Sequence, residues 1–370
     1  YPIFSFYRIN TKSVSTSEIL ILIVVTFFIS IVSYVFFEKK FRYDFSNKIL
    51  FSFILIFIIL IFSFNVIVKK TSGLDFRVPD ILKTQKLIDR PKYGNYKNFK
   101  IYGNYQDSKT VFLFGDSHMF RLSRDLKKKL NKEKLNYFQS ITPGCIFLIE
   151  SQIVNKKNLK TTNCNLDIQL KRLEETNYRK NNIIIIGGRY TQIIEESSYN
   201  NGFGGIEKPF NSVIQNELKN LKTRKERVEF IENKFNKTIN ILIKNNHDII
   251  LIYPIPEMGW NVPEKIFSNI PKNLFSKKEV KNYVENLDFS IKYSEYINRN
   301  KETIRIFDSV KNHKIHRVYP EQIFCDKKLN KCYGHKNQKI LYEDTNHPSL
   351  YSSQLINDMI IKKINKILNN

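Results

Sequence analysis

Cysteine is scarce in this sequence, and its spacing argues against a zinc site. The chain has 370 residues and four cysteines, none of them in the CxxC pairs that structural zinc sites commonly use. Metal binding with the nearby His313 or His335 is the alternative use of these cysteines, but it lacks that spacing. We therefore expect no bound metal.

Acidic residues are much less common than basic ones. The 60 Lys and Arg residues outnumber the 35 Asp and Glu residues and give a formal net charge of +25, which is typical of proteins that bind nucleic acid or anionic surfaces. However, the basic residues are scattered, and Lys127-Lys128-Lys129 is the longest run. The sequence also lacks RNA-recognition, zinc-finger and basic-zipper signatures. We interpret most lysines as solvated surface and expect no nucleic-acid partner.

Two long runs near the N-terminus carry no charge. Ile19–Phe37 and Ile49–Val68 are each long enough to cross a bilayer core as a helix, which takes about 20 residues. Neither has the shape of a signal peptide, since charged residues rather than a small-residue cleavage site follow the first run. Two buried core helices are the alternative. Two such runs in succession favour membrane-spanning helices in a membrane region of residues 1–70.

The segment between the two runs predicts the orientation. Residues 38–48 contain four basic and two acidic residues, and the positive-inside rule places such a short loop in the cytoplasm. Lys69 and Lys70 oppose this orientation in part, because they flank the outer end of the second run. We expect the chain after Lys70 to be extracytoplasmic.

The remainder of the chain has an α/β pattern. Residues 71–109 contain several Gly and Pro residues and predict a linker or wrapping segment, followed by a globular domain at 110–370. Continuous apolar strands that alternate with helices favour a parallel sheet covered on both faces, with functional residues at the carboxyl ends of the strands. Strands are expected at Val111–Phe114, Leu135–Ile141, Asn182–Gly188, Asp248–Pro254 and Thr303–Phe307, and helices at 227–246 and 349–368.

A candidate nucleophile follows the first of these strands. Val111–Phe114 runs into Gly115-Asp116-Ser117-His118, after which a helical pattern begins. A strand, a sharp glycine turn and a helix that opens on Ser would expose the hydroxyl of Ser117 beside the backbone N–H groups of a helix N-terminus. The alternative is that Asp116 or Ser117 only caps the helix.

A second motif near the C-terminus favours the catalytic interpretation. Asp344 lies three residues before His347, just ahead of the predicted last helix. A serine nucleophile needs a base to remove its proton, and the base needs an orienting partner. His347 and Asp344 can supply both from a single loop.

These two motifs together resemble the SGNH (GDSL-like) hydrolase superfamily. More narrowly, the chain resembles the SGNH domains fused behind acyltransferase-3 membrane proteins that O-acylate bacterial glycans. The phrase Ser33–Arg42 resembles the end of a late transmembrane helix in those acyltransferases, so the resemblance extends from about Tyr34 to the end. It implies a three-layer α/β/α, SGNH or flavodoxin-like fold. It also implies Ser117 as nucleophile, His347 as base, Asp344 as its orienting acid, and the backbone N–H groups of Ser117 and Gly144 as oxyanion donors.

The chain departs from the family pattern in two places. Standard SGNH enzymes have Asn in the third block, where this chain has Gly187-Gly188-Arg189-Tyr190; fused members often carry Arg and an aromatic residue there. Arg189 is then a candidate third oxyanion donor, with a structural ion pair as the alternative. Acyltransferase-3 proteins also have many more membrane helices than two. We therefore expect either a piece of a longer protein, which the start at Tyr1 rather than Met also favours, or a stand-alone remnant.

The resemblance implies an O-acyltransferase, most simply an O-acetyltransferase, that modifies a cell-envelope polysaccharide such as lipopolysaccharide through an acyl-Ser intermediate. The expected partners are the glycan acceptor, the lipid bilayer and the missing acyltransferase-3 helices. No cofactor is expected to stay bound, and the acyl donor would derive from acetyl-CoA through the membrane portion. The expected location is the bacterial inner membrane, with the SGNH domain in the periplasm. A carbohydrate esterase with the same triad is one alternative, and a glycan-binding domain with a vestigial site is another.

The four cysteines also fit an oxidising compartment. Cys145 and Cys164 lie within one inter-element segment and Cys325 and Cys332 within another. Four cysteines allow three pairings, and we predict the two local disulfides, which require an extracytoplasmic location.

Overall fold

The computed structural model describes residues 2–10, 14–43, 45–71, 101–106, 108–178, 181–216, 219–221, 223–271 and 276–369. The chain divides into two compact units, Tyr1–Arg77 and Val78–Asn370. Most of the predicted linker at 71–109 lies outside the described residues. Its last part contains a short strand, Ile101–Tyr102, which pairs with the central sheet.

The N-terminal unit is helical and contains both predicted membrane helices. Thr16–Phe41 and Asn47–Lys70 are long and apolar enough to cross a membrane. Asn47–Lys70 has no buried residue, and helices that are apolar on all sides are typical of membrane spans. The segment expected to be a loop is helical as far as Tyr43, because the first helix continues through a π-helical stretch. The helical segments are α1 (Pro2–Asn10), α2 (Thr16–Ser33), the π-helix Tyr34–Glu38, α3 (Lys39–Tyr43) and α4 (Asn47–Lys70).

The second unit is built on a six-stranded sheet. Its strands are β1 (Ile101–Tyr102), β2 (Thr110–Gly115), β3 (Asn136–Ile141), β5 (Ile183–Ile186), β8 (Asp248–Ile252) and β10 (Ile315–Val318). They lie in the order β1-β3-β2-β5-β8-β10. All neighbours are parallel except β1, which pairs antiparallel with β3. The five parallel strands thus have the flavodoxin-like order, in which the direction of winding reverses at β2. The predicted α/β fold is confirmed.

Helices cover both faces of this sheet. They are α5 (Ser117–Lys132), α6 (Leu166–Asn177), α7 (Tyr190–Glu195), α8 (Arg224–Lys244), α9 (Val262–Asn269), α10 (Lys277–Glu285), α11 (Tyr293–Ser309), α12 (Glu321–Phe324) and α13 (Leu350–Leu368). Small sheets elsewhere use β4 (Gln152–Asn155), β6 (Ser212–Asn216), β7 (Lys219–Asn220), β9 (Ser290–Lys292), β11 (Cys325–Asp326), β12 (Lys331–Tyr333), β13 (His335–Lys336) and β14 (Lys339–Ile340).

Alternation along the central strands explains why they are apolar throughout. Val111 and Leu113 of β2 lie in one buried cluster with the apolar faces of α5 and α13. Phe112 and Phe114 point to the opposite face, where they join α6, α8 and α11. Since successive side chains of a strand point to opposite faces, a sheet covered on both sides needs apolar residues at every position.

One predicted strand is wrong. Thr303–Phe307 lies within helix α11, and the fifth parallel strand is Ile315–Val318. Thr303 and Phe307 are buried with Tyr296 and Asn300, a spacing that follows the helical period. A short apolar run cannot be assigned to helix or strand by itself. The observed strand has His316 and Arg317 at its centre, which removes the apolar signal.

The two predicted disulfides are confirmed. Cys145 pairs with Cys164, and Cys325 pairs with Cys332. The first joins the segment after β3 to the start of α6, and both of its cysteines are buried. The second pairs two adjacent residues of the short strands β11 and β12.

Removal of the first disulfide should destabilise the domain more than removal of the second. The separations of 19 and 7 residues correspond to losses of about 3 and about 2 kcal/mol in a chain-entropy description. The comparison is between Cys145→Ala/Cys164→Ala and Cys325→Ala/Cys332→Ala in chemical unfolding. Trp260 is the only tryptophan, so its fluorescence reports on this unit. The reverse ranking, or four free thiols in the mass spectrum of the native protein, would contradict the prediction.

Candidate active site

The site begins where β2 and β5 end side by side. Gly115 closes β2 with a φ of +152°, and a Cβ there would lie 2.4 Å from the carbonyl oxygen of Gly187. Only glycine allows the two strand ends to approach so closely. This edge is also where the strand order reverses, the usual position of a site in an open α/β sheet.

Asp116 joins the two turns that follow these strands. Its carboxylate accepts hydrogen bonds from the backbone N–H of His118 at 2.9 Å and from that of Arg189 at 2.7 Å. The first bond caps α5, so the capping interpretation is correct for Asp116. Gly188 leaves room for the carboxylate, since a Cβ at that position would lie 3.0 Å from it. Asp116 therefore fixes where Ser117 stands.

Ser117, His347 and Asp344 form one continuous hydrogen-bond chain. The Oγ of Ser117, the first residue of α5, lies 2.8 Å from His347 Nε2. His347 Nδ1 lies 2.7 Å from Asp344 Oδ2. The His347 side chain is 18% exposed, so the imidazole is accessible from solvent. A hydroxyl, an imidazole and a carboxylate in this order can activate a serine.

Asp344 is held as a carboxylate by its own loop. Its Oδ1 accepts from the backbone N–H groups of Asn346 at 3.0 Å and His347 at 2.9 Å. Burial acts to raise the pKa of Asp344, but the hydrogen bonds and charge of His347 and these backbone donors outweigh it. The net effect lowers the pKa of Asp344 well below its ordinary range. The residue is therefore ionised at neutral pH and can orient the imidazole.

Two backbone N–H groups follow the carboxyl ends of the neighbouring strands β2 and β3. Within the described part of the chain, no acceptor pairs with the N–H of Ser117 or of Gly144. Gly144 lies three residues after β3, whose last residue pairs with Gly115. Its φ of +67° puts it in the left-handed region. Both groups are suited to stabilise an oxyanion.

A buried arginine that belongs to no sequence motif supports this loop. Arg172 of α6 is fully buried, and its guanidinium donates to the carbonyl oxygens of Ile146 at 3.1 Å and Gly115 at 3.4 Å. Burial lowers the pKa of Arg172 to about 10, despite the opposing effects of Tyr190 and Asp116. It ties the loop that contains Gly144 to the end of β2. Its regular position on a helix gave no sequence signal.

Arg189, the candidate third oxyanion donor, lies in a buried ion-pair cluster. Its Nη2 lies 2.7 Å from Glu207 Oε2, and its Nε lies 2.7 Å from Glu257 Oε1. Arg299 contacts the other oxygen of Glu257 at 3.2 Å. Burial acts to raise the pKa of Glu257, but the two arginines lower it below the ordinary value. This is the ion-pair alternative for the guanidinium, while the backbone N–H of Arg189 holds Asp116.

His118 has a partner that the sequence did not indicate. Its Nε2 lies 2.8 Å from Asn346 Oδ1, and its ring centroid lies 5.1 Å from that of His347. Burial lowers the pKa of His118 to about 4, although Asp116 acts in the opposite direction. Asn346 in turn donates to Glu207 at 2.7 Å. The only possible sequence signal was the position of Asn346 beside His347.

The candidate metal ligands do not come together. Among the residues that the structure describes, no group of three or more His, Cys, Asp and Glu is placed to hold a metal ion. His335 instead contacts the backbone carbonyl of Val284 at 2.8 Å. The cysteines near it are joined in a disulfide.

Residues 86–362 match the family model described as "SGNH domain (fused to AT3 domains)". The chain belongs to this SGNH family. The match includes every residue of the candidate active site, from Ser117 to His347, and supports an enzyme of the SGNH type as the general assignment. No curated protein matches the chain.

Several solved structures are similar to this SGNH chain in fold. The periplasmic domain of a lipopolysaccharide acetyltransferase from Salmonella ser. Paratyphi A has 12% identity and a TM-score of 0.42, over 70% of this chain and 84% of that one. A GDSL-like lipase from Bacteroides thetaiotaomicron has 13% identity and a TM-score of 0.36, over 70% and 88%. An acetyl xylan esterase has 12% identity and a TM-score of 0.35, over 69% and 99%. These values are too low to transfer a function to this chain.

Acidification should destabilise the second unit, Val78–Asn370, through His118; we call it the SGNH unit below. Its pKa is about 4 in the folded protein, against about 6.5 in an unfolded chain. Between these values the unfolded state binds a proton that the folded state does not, so the free energy of unfolding falls as the pH drops from about 6.5 to about 4. The expected loss is on the order of 3 kcal/mol. Unfolding followed by Trp260 fluorescence should be less pH-dependent in His118→Gln, and an unchanged slope would exclude His118 as the cause.

Proposed function

We propose that this protein is a membrane-anchored O-acyltransferase of the SGNH type that transfers an acetyl group to a hydroxyl of a cell-envelope polysaccharide. The observation that carries the proposal is the chain of hydrogen bonds from Ser117 through His347 to Asp344. Ser117 lies at the N-terminus of α5, where the positive end of the helix dipole and the backbone N–H groups stabilise a developing negative charge.

The reaction would proceed in two steps through an acyl-Ser ester. Ser117 Oγ attacks the carbonyl carbon of the donor while His347 Nε2 takes its proton, and the leaving group departs with that proton. A sugar hydroxyl then attacks the ester. His347 removes the proton of that hydroxyl and returns it to Ser117 Oγ as the ester bond breaks. Asp344 stabilises the imidazolium in both steps.

The oxyanion of each tetrahedral intermediate would lie between two backbone donors. The N–H groups of Ser117 and Gly144 are the donors that we assign to this role. Arg172 holds the two segments that carry these donors by donating to the carbonyl oxygens of Gly115 and Ile146. A fixed pair of donors contributes mainly in the transition state, where the charge develops.

Transfer rather than hydrolysis is supported by the membrane region. The description of the family model names fusion to AT3 domains, and two helices long enough to cross a membrane precede the SGNH unit. The phrase Ser33–Arg42 resembles the end of a transmembrane helix in those acyltransferases. In this arrangement the SGNH unit lies on the extracytoplasmic side of the bacterial inner membrane. It receives acetyl groups that derive from acetyl-CoA through acyltransferase-3 helices, and it holds no resident cofactor.

The direct test is acetyl transfer by the full chain in detergent. An activated acetyl ester is supplied with and without an envelope oligosaccharide, and acetate and acetylated sugar are both followed by mass spectrometry. We expect acetylated sugar with the wild type and none with Ser117→Ala, whose fold is verified by Trp260 fluorescence. Acetate release alone would instead support a carbohydrate esterase. Sugar acetylation that persists in Ser117→Ala would exclude Ser117 as the nucleophile.

A double-mutant cycle tests whether the chain of hydrogen bonds acts as a unit. Ser117→Ala and His347→Ala should each reduce turnover by roughly 10⁴-fold or more, and the double variant should lose no more than the worse single variant. The rates are measured with the activated ester. Losses that multiply in the double variant would show that the two side chains serve separate steps.

A further inference from the structure

The buried ion pair between Arg189 and Glu207 begins a chain of hydrogen bonds that ends at His118. Arg189 Nη2 and Glu207 Oε2 lie 2.7 Å apart, and their side chains are only 11% and 6% exposed. A carboxylate paired with arginine can accept hydrogen bonds on both oxygens but cannot donate one. Glu207 therefore presents a fixed acceptor, Oε1, to the loop that contains Asp344 and His347.

This acceptor determines how the Asn346 amide is oriented. Glu207 Oε1 accepts from Asn346 Nδ2 at 2.7 Å and from Thr345 Oγ1 at 3.1 Å. Because the Thr345 hydroxyl donates its only proton to Glu207, its oxygen can accept from Asn346 Nδ2, which lies 2.8 Å away. Both N–H bonds of the amide are then used. The carbonyl oxygen of Asn346 must face His118.

The orientation of Asn346 in turn determines where His118 carries its proton. His118 Nε2 lies 2.8 Å from Asn346 Oδ1, and a carbonyl oxygen only accepts. The bond therefore requires a proton on Nε2, and a neutral imidazole then has none on Nδ1.

The surroundings keep the ring neutral. His118 is 2% exposed, and its charged neighbours include both signs: Asp116 favours protonation, while Arg189 and a protonated His347 oppose it. Glu257 is the other buried carboxylate in electrostatic contact with His118, and it is paired with two arginines. Asn346 separates His118 from the charge of Glu207, whereas a carboxylate in direct contact would favour the imidazolium.

We infer that Glu207 and Asn346 are positioning residues that fix His118 as the neutral Nε2–H tautomer and hold its ring against His347. The two rings meet edge to face, with centroids 5.1 Å apart and an interplanar angle of 68°. A neutral ring at this position confines His347 without opposing the positive charge that the base acquires during catalysis. The inference rests on the proposed function for the role of His347.

Glu207→Gln is the critical variant, and Glu257→Gln is its matched control. In Glu207→Gln the side-chain oxygen stays on Arg189, which can only donate, so the new NH₂ group faces Asn346. The Asn346 amide must then reverse and present its N–H to His118 Nε2, which forces the proton onto Nδ1. Glu257→Gln also removes a buried carboxylate from Arg189 but has no described hydrogen bond to Asn346 or Thr345.

The first measurement is the ¹⁵N spectrum of histidine in the full chain, labelled with [¹⁵N]histidine and reconstituted in lipid nanodiscs. The chain has six histidines, and His118→Gln assigns the signals of residue 118. We expect protonated Nε2 and bare Nδ1 at pH 7 in the wild type and in Glu257→Gln. The proton should move to Nδ1 in Glu207→Gln. Asn346→Ala, which leaves the ion pair intact, should give a mixture of tautomers.

The second measurement is the rate at which a fluorophosphonate labels Ser117, determined from pH 4 to 9 in the same samples. Glu207→Gln and Asn346→Ala should react about 10²-fold more slowly than the wild type, the order of loss that a misplaced catalytic group causes. Glu257→Gln should remain within about threefold at a comparable loss of thermal stability, because Glu257 makes no described hydrogen bond to the loop that contains His347 and its substitution leaves the alignment of the base intact.

Three results would overturn the inference. They are a bare Nε2 on His118 in the wild type, retention of the Nε2 proton in both Glu207→Gln and Asn346→Ala, and equal losses of labelling rate in Glu207→Gln and Glu257→Gln. If the wild type is not labelled at Ser117, the proposed function fails. The histidine spectra still decide whether Glu207 controls the tautomer of His118.

Discussion

Parallel pairing of β2 with β5 is the contact on which the candidate active site depends. It puts the carbonyl of Gly187 where a side chain on Gly115 would otherwise stand, and it brings Asp116 within hydrogen-bond reach of the Arg189 N–H. The turn that carries Ser117 and the backbone of Arg189 are thus anchored to the same carboxylate. Displacement of either strand would move both, since a buried sheet does not deform continuously.

The buried charges around this contact are arranged so that each has compensation. Arg189 lies between Glu207 and Glu257, Asp116 accepts from two backbone N–H groups, and Arg172 donates to two backbone carbonyls. A buried charge without partners would be strongly unfavourable. The loop that contains His347 is held by two contacts. Glu207 of the cluster accepts from the Asn346 amide, and the backbone N–H of Met258 donates to the Thr345 carbonyl.

Local patterns in the sequence were sufficient for the elements that have strong signals. The isoleucines of β5 and the apolar run of β2 predicted buried strands because a sheet covered on both faces leaves no polar positions. Gly115-Asp116-Ser117 predicted a turn and a helix start because these residues have specific backbone and capping preferences. The short apolar run Thr303–Phe307 fits either period, so the strand predicted there was wrong. The central His316 and Arg317 of β10 leave that strand without an apolar signal.

The sequence by itself determined the fold class, the two apolar N-terminal helices, the local disulfides and the separate motifs around Ser117 and His347, because each depends on residues close together in the chain. Only the tertiary structure decided what those motifs contact. Glu207 is far from Asn346 in sequence, and Arg189, Glu257 and Arg299 belong to different elements, yet they form one buried cluster. Contacts of this kind follow from strand order and loop packing, which local preferences do not encode. They decided that the Arg189 guanidinium is engaged with carboxylates and that His118 lies against His347.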